Sequence, residues 1–443
     1  MMLSGWGRYP VLDCRMETCR DPAEAASRVI GRGSTIARGM GRAYGDAALN
    51  PTRTLSMLAS DRFRAFDPAT GLLTCEAGTR LSEILSVFVP RGWFPPVVPG
   101  TKFVSVGGMI AADVHGKNHH RDGAFGAHVT SLELALADGS VVTCSPSQNP
   151  DLFAATVGGM GLTGVILRAT FRLVPVETAY LMAETRAAGD LDTAMALLAE
   201  SEAWPYTVAW IDCLATGRAR GRSLIYRGRH ATHADLPMGR RESPRPGHRD
   251  GGITVPLDMP GAALNGATVR AFNAAYYAKG KAGAGARAQL VHYDPFFFPL
   301  DGIGAWNRLY GRRGFVQYQC VLPDAHSRAG LARLLDRIAV AGQGSFLAVL
   351  KRLGPGTDYL SFPMAGYTLA LDFPVRTGTF ALLDELDAIV ADHGGRVYLA
   401  KDARAAPGRF AAGYPDLDRF RAIRDRTGAT GRFESLLSRR LEI

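Results

Sequence analysis

Residues 99–120 read PGTKFVSVGGMIAADVHGKNHH, and the whole chain is organised around this stretch. A β-branched run over 103–106 stops at Gly107-Gly108. A small-residue apolar segment follows, and Asp113, His115, Lys117 and Asn118 then fall within six residues. Glycine lets backbone approach a bulky planar or phosphorylated ligand, because no Cβ stands in the way. A glycine pair alone marks a turn as readily as a site. The histidine, lysine and asparagine beside this pair point to a site.

Upstream, residues 34–46 read STIARGMGRAYGD. Residues 35–37 have the pattern of a short buried strand. Gly39, Gly41 and Gly45 then interrupt a tight loop that carries Arg38 and Arg42. Backbone N–H groups freed in such a loop form an anion-binding nest, and pyrophosphate is its natural guest. The spacing is not GxGxxG opening a helix in a βαβ unit, so the Rossmann fingerprint is excluded. Two glycine-rich loops roughly sixty residues apart imply a ligand gripped from two sides.

With 443 residues the chain is long enough for two domains with real cores. No apolar run reaches the length of a membrane span, and the N-terminus lacks a charged start followed by an apolar h-region. Six cysteines are scattered, none in CxxC or at zinc spacing with histidine, so reduced thiols in a cytoplasmic protein are expected and no metal site is. The formal net charge of +10, with arginine well ahead of lysine, fits a phosphorylated substrate, an anionic membrane or plain solvation. Nucleic acid is not expected, since no helix-turn-helix, RNA-binding or zinc motif is present.

Along the chain, Asp21-Pro22 starts a helix as N-cap and first-turn proline. A strand over 72–76, a helix over 81–89, a hairpin over 129–144 turning at Asp138-Gly139, a helix from 151 and a strand over 162–173 follow. This first half is strand-rich α+β rather than alternating βαβ. Residues 190–202 have helical apolar spacing, and 206–212 alternate like a half-buried strand. Residues 228–252 and 278–287 read as low-complexity loops, flanking an Ala-rich helix over 262–277. Residues 296–298 are a run of three phenylalanines, either core or a greasy surface for a lipid tail. Strands are expected over 315–322, over 346–350 with Lys351 at its end, and over 367–373. Helices are expected over 329–341 and 380–393. Gln317 and Gln319 share one strand face, and their apolar alternates imply that this face looks into something polar but enclosed. The tail, 410–443, reads as helical and basic.

ARGMGRAYGD, PGTKFVSVGGMIAADVHGKNHH and GGMGLTGVILRATF resemble the FAD-binding domain of vanillyl-alcohol-oxidase-type flavoenzymes. More narrowly, these motifs together with AWNRLYG, GFVQYQCVLP, LSFP, YLAKDAR and the closing RRLEI are similar to the decaprenylphosphoryl-ribose 2′-oxidases, over nearly the whole chain. The resemblance implies an α+β fold of two domains. Residues 1–178 and 396–443 would build the FAD-binding domain, and 179–395 an antiparallel-sheet cap with helices on one face.

It also implies a site. FAD would be held by Ala37, Arg38, Gly39, Met40, Gly41, Arg42, Ala43 and Tyr44 from the first loop. The second stretch would add Pro99, Gly100, Thr101, Val104, Gly107, Gly108, Ala112, Val114, His115 and Asn118, with Tyr398 and Lys401 from the C-terminal part. Flavin takes the hydride, and the protein must orient the C–H bond, accept a proton and stabilise charge. Lys401, read as a strand residue, is expected to stabilise negative charge. His115 is expected to relay the proton, and Tyr44 to gate access or share that proton. Lys117, Gln317, Gln319 and Lys351 would bind sugar hydroxyls or phosphate, with Trp210 as an aromatic wall or a core residue.

Two departures matter. Arg42 stands where related flavoenzymes carry the histidine that bonds flavin, so non-covalent FAD is expected. Ala370 and Thr368 stand where mycobacterial members carry cysteine and asparagine, so one pocket wall is altered. The leading reading is oxidation of a polyprenyl-phosphate ribose to a ketone, with a short-chain NAD(P)H-dependent reductase as partner and peripheral contact at the inner face of the plasma membrane. The runner-up is oxidation of another sugar, polyol or nucleoside. The third is a non-catalytic flavin-binding protein, against which the polar constellation argues.

Overall fold

The computed structural model describes residues 1–31, 33–248, 252–261, 264–285 and 287–443. Near the N-terminus, Asp21 caps the helix Pro22–Val29 by accepting from the Glu24 amide at 2.8 Å. Three short parallel strands, Met16–Thr18, Thr54–Ser56 and Ile36–Arg38, deliver the first glycine loop. A five-stranded antiparallel sheet lies beside them, with Val165–Arg172 between Val129–Ala135 and Leu72–Glu76. Gly107 and Gly108 do not end a strand; they sit in the first turn of the helix Val106–Ala111.

The C-terminal helices Pro407–Gly413, Leu417–Arg426 and Leu436–Leu441 belong to this same body. Phe410, Leu417, Phe420 and Leu437 share one core with Leu73, Leu85, Ile110 and Phe171. Thr35 bridges Phe433, which ties the first glycine loop's strand to the tail.

The second body is an eight-stranded antiparallel sheet. Its order is Gln289–His292, Tyr180–Ala188, Ser223–His230, Tyr206–Ile211, Val349–Leu353, Gly366–Pro374, Phe315–Pro323 and Arg396–Val397. Alternation sorts its residues onto two faces. Val316, Tyr318, Cys320, Leu322, Leu369, Leu371 and Phe373 pack against the helices Leu191–Glu200, Asp324–Ala341 and Thr379–Asp392. The other face turns toward the first body.

Several elements differ from expectation. Arg396–Val397 is still a strand of the large sheet, paired with Val321 and Cys320, so the chain re-enters the first body only after residue 397. Lys401 lies in the turn that follows, not in a strand; its amide donates to Tyr398 O at 3.0 Å. The strand read over 346–350 is Val349–Leu353, which puts Lys351 at its centre. The helix Gly266–Ala282 runs through the first part of the low-complexity segment 278–287, because Ala and Lys are strong helix formers. Within 228–252, the strand Ser223–His230 runs on to residue 230 and a short helix spans Met238–Arg241. Residues 249–251, 262–263 and 286, which fall within the two loops and the Ala-rich helix, lie outside the described residues. Phe297 and Phe298 are core, each 1% exposed.

All six cysteines are buried and free. No helix among the described residues is long and apolar enough to cross a membrane.

Candidate active site

A cavity of about 1090 Å³ is bounded by both bodies. Ala37, Gly39, Met40, Gly41, Arg42, Ala43 and Tyr44 of the first loop line it. The loop is pinned at its end, where the Tyr44 amide donates to Ala400 O at 2.9 Å. Between those points the amides of residues 39–43 find no acceptor among the described residues, so a row of donors faces the cavity. Gly41 has φ +64°, the left-handed backbone that turns such amides inward. A Cβ on Gly39 would sit 1.9 Å from Ser105 Oγ, so the two glycine stretches meet only because this residue has no side chain.

The second stretch contributes Pro99, Gly100, Thr101, Val104, Gly107, Gly108, Ala112, Val114 and His115 to the same cavity, joined by Tyr398 and Lys401. Two expected cofactor residues are elsewhere. Arg38 points away, donating to Ser4 O at 2.7 Å and Ala48 O at 3.3 Å. Asn118 is buried against Pro96 O and Asp122 Oδ2, at 2.8 and 2.7 Å. Both hold the loops in shape from behind. Trp6 was not found by the sequence reading; the Arg42 guanidinium stacks 3.8 Å above its ring centroid. Amide donors without acceptors, close backbone approach and a stacked cation suit a pyrophosphate-linked dinucleotide with a flat ring system. These residues fit FAD.

The sheet supplies the opposite wall through strand register. Gln317 pairs with Asp372 and Gln319 with Ala370. Lys351 pairs with Thr368, Val349 with Ala370 and Trp210 with Val349. All of them line the cavity, as does Lys117. Trp210 Nε1 donates to Phe346 O at 3.0 Å, which fixes the indole as a wall. Asp372 was missed, although Thr368, Ala370 and Asp372 have the i, i+2, i+4 spacing that puts them on one strand face.

Polar groups here are tied to one another. Gln317 Nε2 donates to Asp372 Oδ1 at 2.6 Å, and the Tyr310 hydroxyl donates to Oδ2 at 3.2 Å. Gln319 Nε2 donates to His115 Nε2 at 3.0 Å and to Thr368 Oγ1 at 3.1 Å, and the Thr368 hydroxyl in turn donates to Cys320 O at 2.8 Å. Lys117 Nζ donates to the carbonyls of Phe296 and Phe297 at 2.8 and 3.1 Å. Lys401 Nζ stands 3.9 Å above the Tyr44 ring centroid.

Burial sets the protonation of this cluster. It raises the Asp372 carboxyl to about 6, against the lowering influence of Gln317, Lys401 and Tyr310. It lowers Lys401 to about 7; Asp372 opposes the shift and Lys351 adds to it. Lys351 falls to about 8 by burial, and Lys117 to about 7 by burial and by Lys351. His115 is held well below its usual value by burial, then by Lys351, His119 and Lys401. Burial and the nearby cations therefore favour the neutral imidazole, with Nε2 accepting from Gln319, and disfavour the imidazolium that the expected relay through His115 would pass through. Burial likewise raises the Tyr44 phenol well above its usual value, so Tyr44 keeps its proton and serves as a platform under Lys401.

Lys117 and Lys401 both titrate near neutrality. Lys117 is committed to two carbonyls, whereas Lys401 and Lys351 are not, and Lys401, lowered further and influenced by Asp372, is the better matched to exchange a proton with a ligand near neutrality. Six of the 51 basic residues are lysines, and four of those six, Lys117, Lys279, Lys351 and Lys401, line this cavity. Lysine, unlike arginine, can lose its charge when buried.

Comparison with known proteins gives the same picture. The FAD binding domain family model matches residues 26–145. Decaprenylphosphoryl-beta-D-ribose oxidase of Mycolicibacterium smegmatis is 39% identical, over 100% of this chain and 97% of the relative. An "uncharacterized protein in mprA 5'region" of Streptomyces coelicolor is 40% identical over 82% of this chain and 98% of its own length. D-arabinono-1,4-lactone oxidase of Yarrowia lipolytica is 34% identical, but over only 26% of this chain and 22% of the relative.

Proposed function

Because the chain belongs to the decaprenylphosphoryl-β-D-ribose oxidase family and is an FAD-dependent oxidoreductase, we propose that it oxidises the ribose 2′-hydroxyl of a polyprenyl-phosphate ribose to a ketone. The observation that carries this reading is the placement of Lys401, beside Asp372 and Gln317, on a polar sheet face opposite two amide-rich glycine loops. Those loops would hold FAD, which when bound supplies the acceptor for the hydride from the carbinol carbon.

The chain's own groups do the rest. Gln317 and Gln319, each locked by a hydrogen-bonded partner, present amides to sugar hydroxyls. Lys401 Nζ, in its neutral form, takes the hydroxyl proton as the carbon is oxidised. A lysine tuned to about 7 is matched to that task. The Asp372 carboxylate then stabilises the ammonium that results, and Tyr44 fixes its position. The ketone so formed needs reduction from the other face to give the arabinose epimer, so a short-chain NAD(P)H-dependent reductase is the proposed partner, working at a membrane surface where the lipid resides.

The test is anaerobic mixing of the FAD-loaded protein with a polyprenyl-phosphoryl ribose, beside free ribosides, nucleosides and polyols. Flavin bleaching by the lipid-linked ribose is expected. Bleaching by a free sugar or polyol alone would favour the runner-up, for which the altered wall at Thr368 and Ala370 is the motive. Arg42 in place of a linking histidine makes the flavin non-covalent: acid precipitation releases FAD intact, and yellow colour left on the washed polypeptide contradicts it.

A further inference from the structure

The sheet face under the cavity changes character along one direction. From Phe315–Pro323 to Ser223–His230 it crosses four strand spacings, roughly 19 Å in all. The first part carries Gln317, Gln319 and Asp372. Past Lys351 the floor is Val349, Trp210, Leu224 and Tyr226, linked strand to strand by register.

The helix Gly266–Ala282 covers this far part. Its Val269, Asn273 and Tyr277, four residues apart, are buried and seat it on the sheet. Phe272 and Tyr276, also four apart but on another face, line the cavity and are 46% and 37% exposed. Phe272 stacks on Tyr276 with ring centroids 5.8 Å apart, and Tyr276 lies 4.8 Å from Trp210. Exposed aromatic surface continuous with a reaction site marks a place for an apolar ligand. Lys351 stands at the join of the two parts, and its Nζ makes no hydrogen bond or ion pair with any described residue.

We propose that this aromatic half of the cavity seats the polyprenyl chain of the substrate, with the phosphate at Lys351 and the sugar at the polar half. The proposal rests on the lipid-linked reading above and adds where the lipid lies. The chain runs along Trp210, Tyr226 and Tyr276, away from the glycine loops, so affinity grows with the number of isoprene units laid on that floor.

The test uses sugar-free probes, so it does not depend on turnover. Geranylgeranyl phosphate, geranyl phosphate and inorganic phosphate are titrated calorimetrically into the FAD-loaded full-length protein. The longer chain is expected to bind at least about tenfold tighter than the shorter one, and the double variant Phe272→Ser/Tyr276→Ser to bring the two within about threefold. Equal affinities in the wild type, or a chain-length difference that survives in the double variant, would overturn the proposal. Both side chains are partly exposed, so the fold should survive; FAD content and melting check this, and if it fails the wild-type comparison decides alone. A flavin that stays oxidised with lipid-linked ribose counts against the proposed reaction, whereas equal phosphate affinities count against this seat.

Discussion

The two faces of the eight-stranded sheet are built from alternate residues of the same strands and have opposite natures. In Phe315–Pro323 and Gly366–Pro374, one set is close-packed Val, Tyr, Cys, Leu and Phe under three helices. The other set is Gln317, Gln319, Thr368, Ala370 and Asp372, buried or half-buried and facing a cavity. The first face supplies cohesion, since apolar burial is the main favourable term in folding. That leaves the second free to hold groups that burial disfavours, such as a carboxyl raised to about 6 and a lysine lowered to about 7. Perturbed lysines and a perturbed carboxyl gathered around one cavity are what a reaction site requires.

The largest effect expected from breaking this division is at Lys401. Lys401→Met keeps the apolar stem and removes the proton acceptor, so flavin reduction should fall by about 10²–10⁴-fold with melting little changed. Rapid mixing of the FAD-saturated variant with excess substrate measures it. A rate within about threefold of wild type would take Lys401 out of the chemistry. On the packed face the pattern reverses. Leu371→Ala leaves a cavity in a dense core and should cost about 2–5 kcal/mol of stability. Flavin reduction per folded molecule should stay at the wild-type rate. Denaturant unfolding beside stopped-flow reduction checks both, and a stable Leu371→Ala protein would show that this face is not the cohesive one.

Much of this was legible in the sequence because period-2 alternation states which face a strand residue occupies. The shared face of Gln317 and Gln319 followed from that alone and the ligand-gripping loops from the freedom of their glycines, while the roles of these residues toward sugar and FAD came from the family resemblance. What escaped depended on contacts from afar. Arg38 and Asn118 sit inside the right motifs, yet their partners are Ser4, Ala48, Pro96 and Asp122, which no local pattern reveals. The protonation of His115 is set by its burial and then by Lys351, His119 and Lys401, of which the two lysines are remote in sequence and close in space. The helix through residues 278–282 was read as part of a loop because the segment is low in complexity; in the fold the missing side chain of Gly280 lets the helix press on Leu224.

The smallest expected effect is also the sharpest test of how the polar face works. Lys401 is faced by Asp372 and Lys351, by the neutral His115 and by the Tyr44 ring. If neutral Lys401 is the proton acceptor, the rate of flavin reduction rises with pH through a limb near 7, where Lys401 loses its proton. The Asp372 carboxylate favours the charged ammonium and so holds that limb up. Asp372→Asn removes the favourable charge, Lys401 deprotonates more easily, and the limb should move to lower pH by on the order of one pH unit. Lys351 acts in the opposite sense, because a second cation disfavours the ammonium. Lys351→Met should therefore move the limb to higher pH by a similar or smaller amount. The readout is the pH profile of flavin reduction at saturating substrate, which general loss of packing would scale down without displacing. Two shifts of opposite sign are required. Shifts in the same direction, or a limb that ignores both substitutions, would mean that the titrating group is not Lys401.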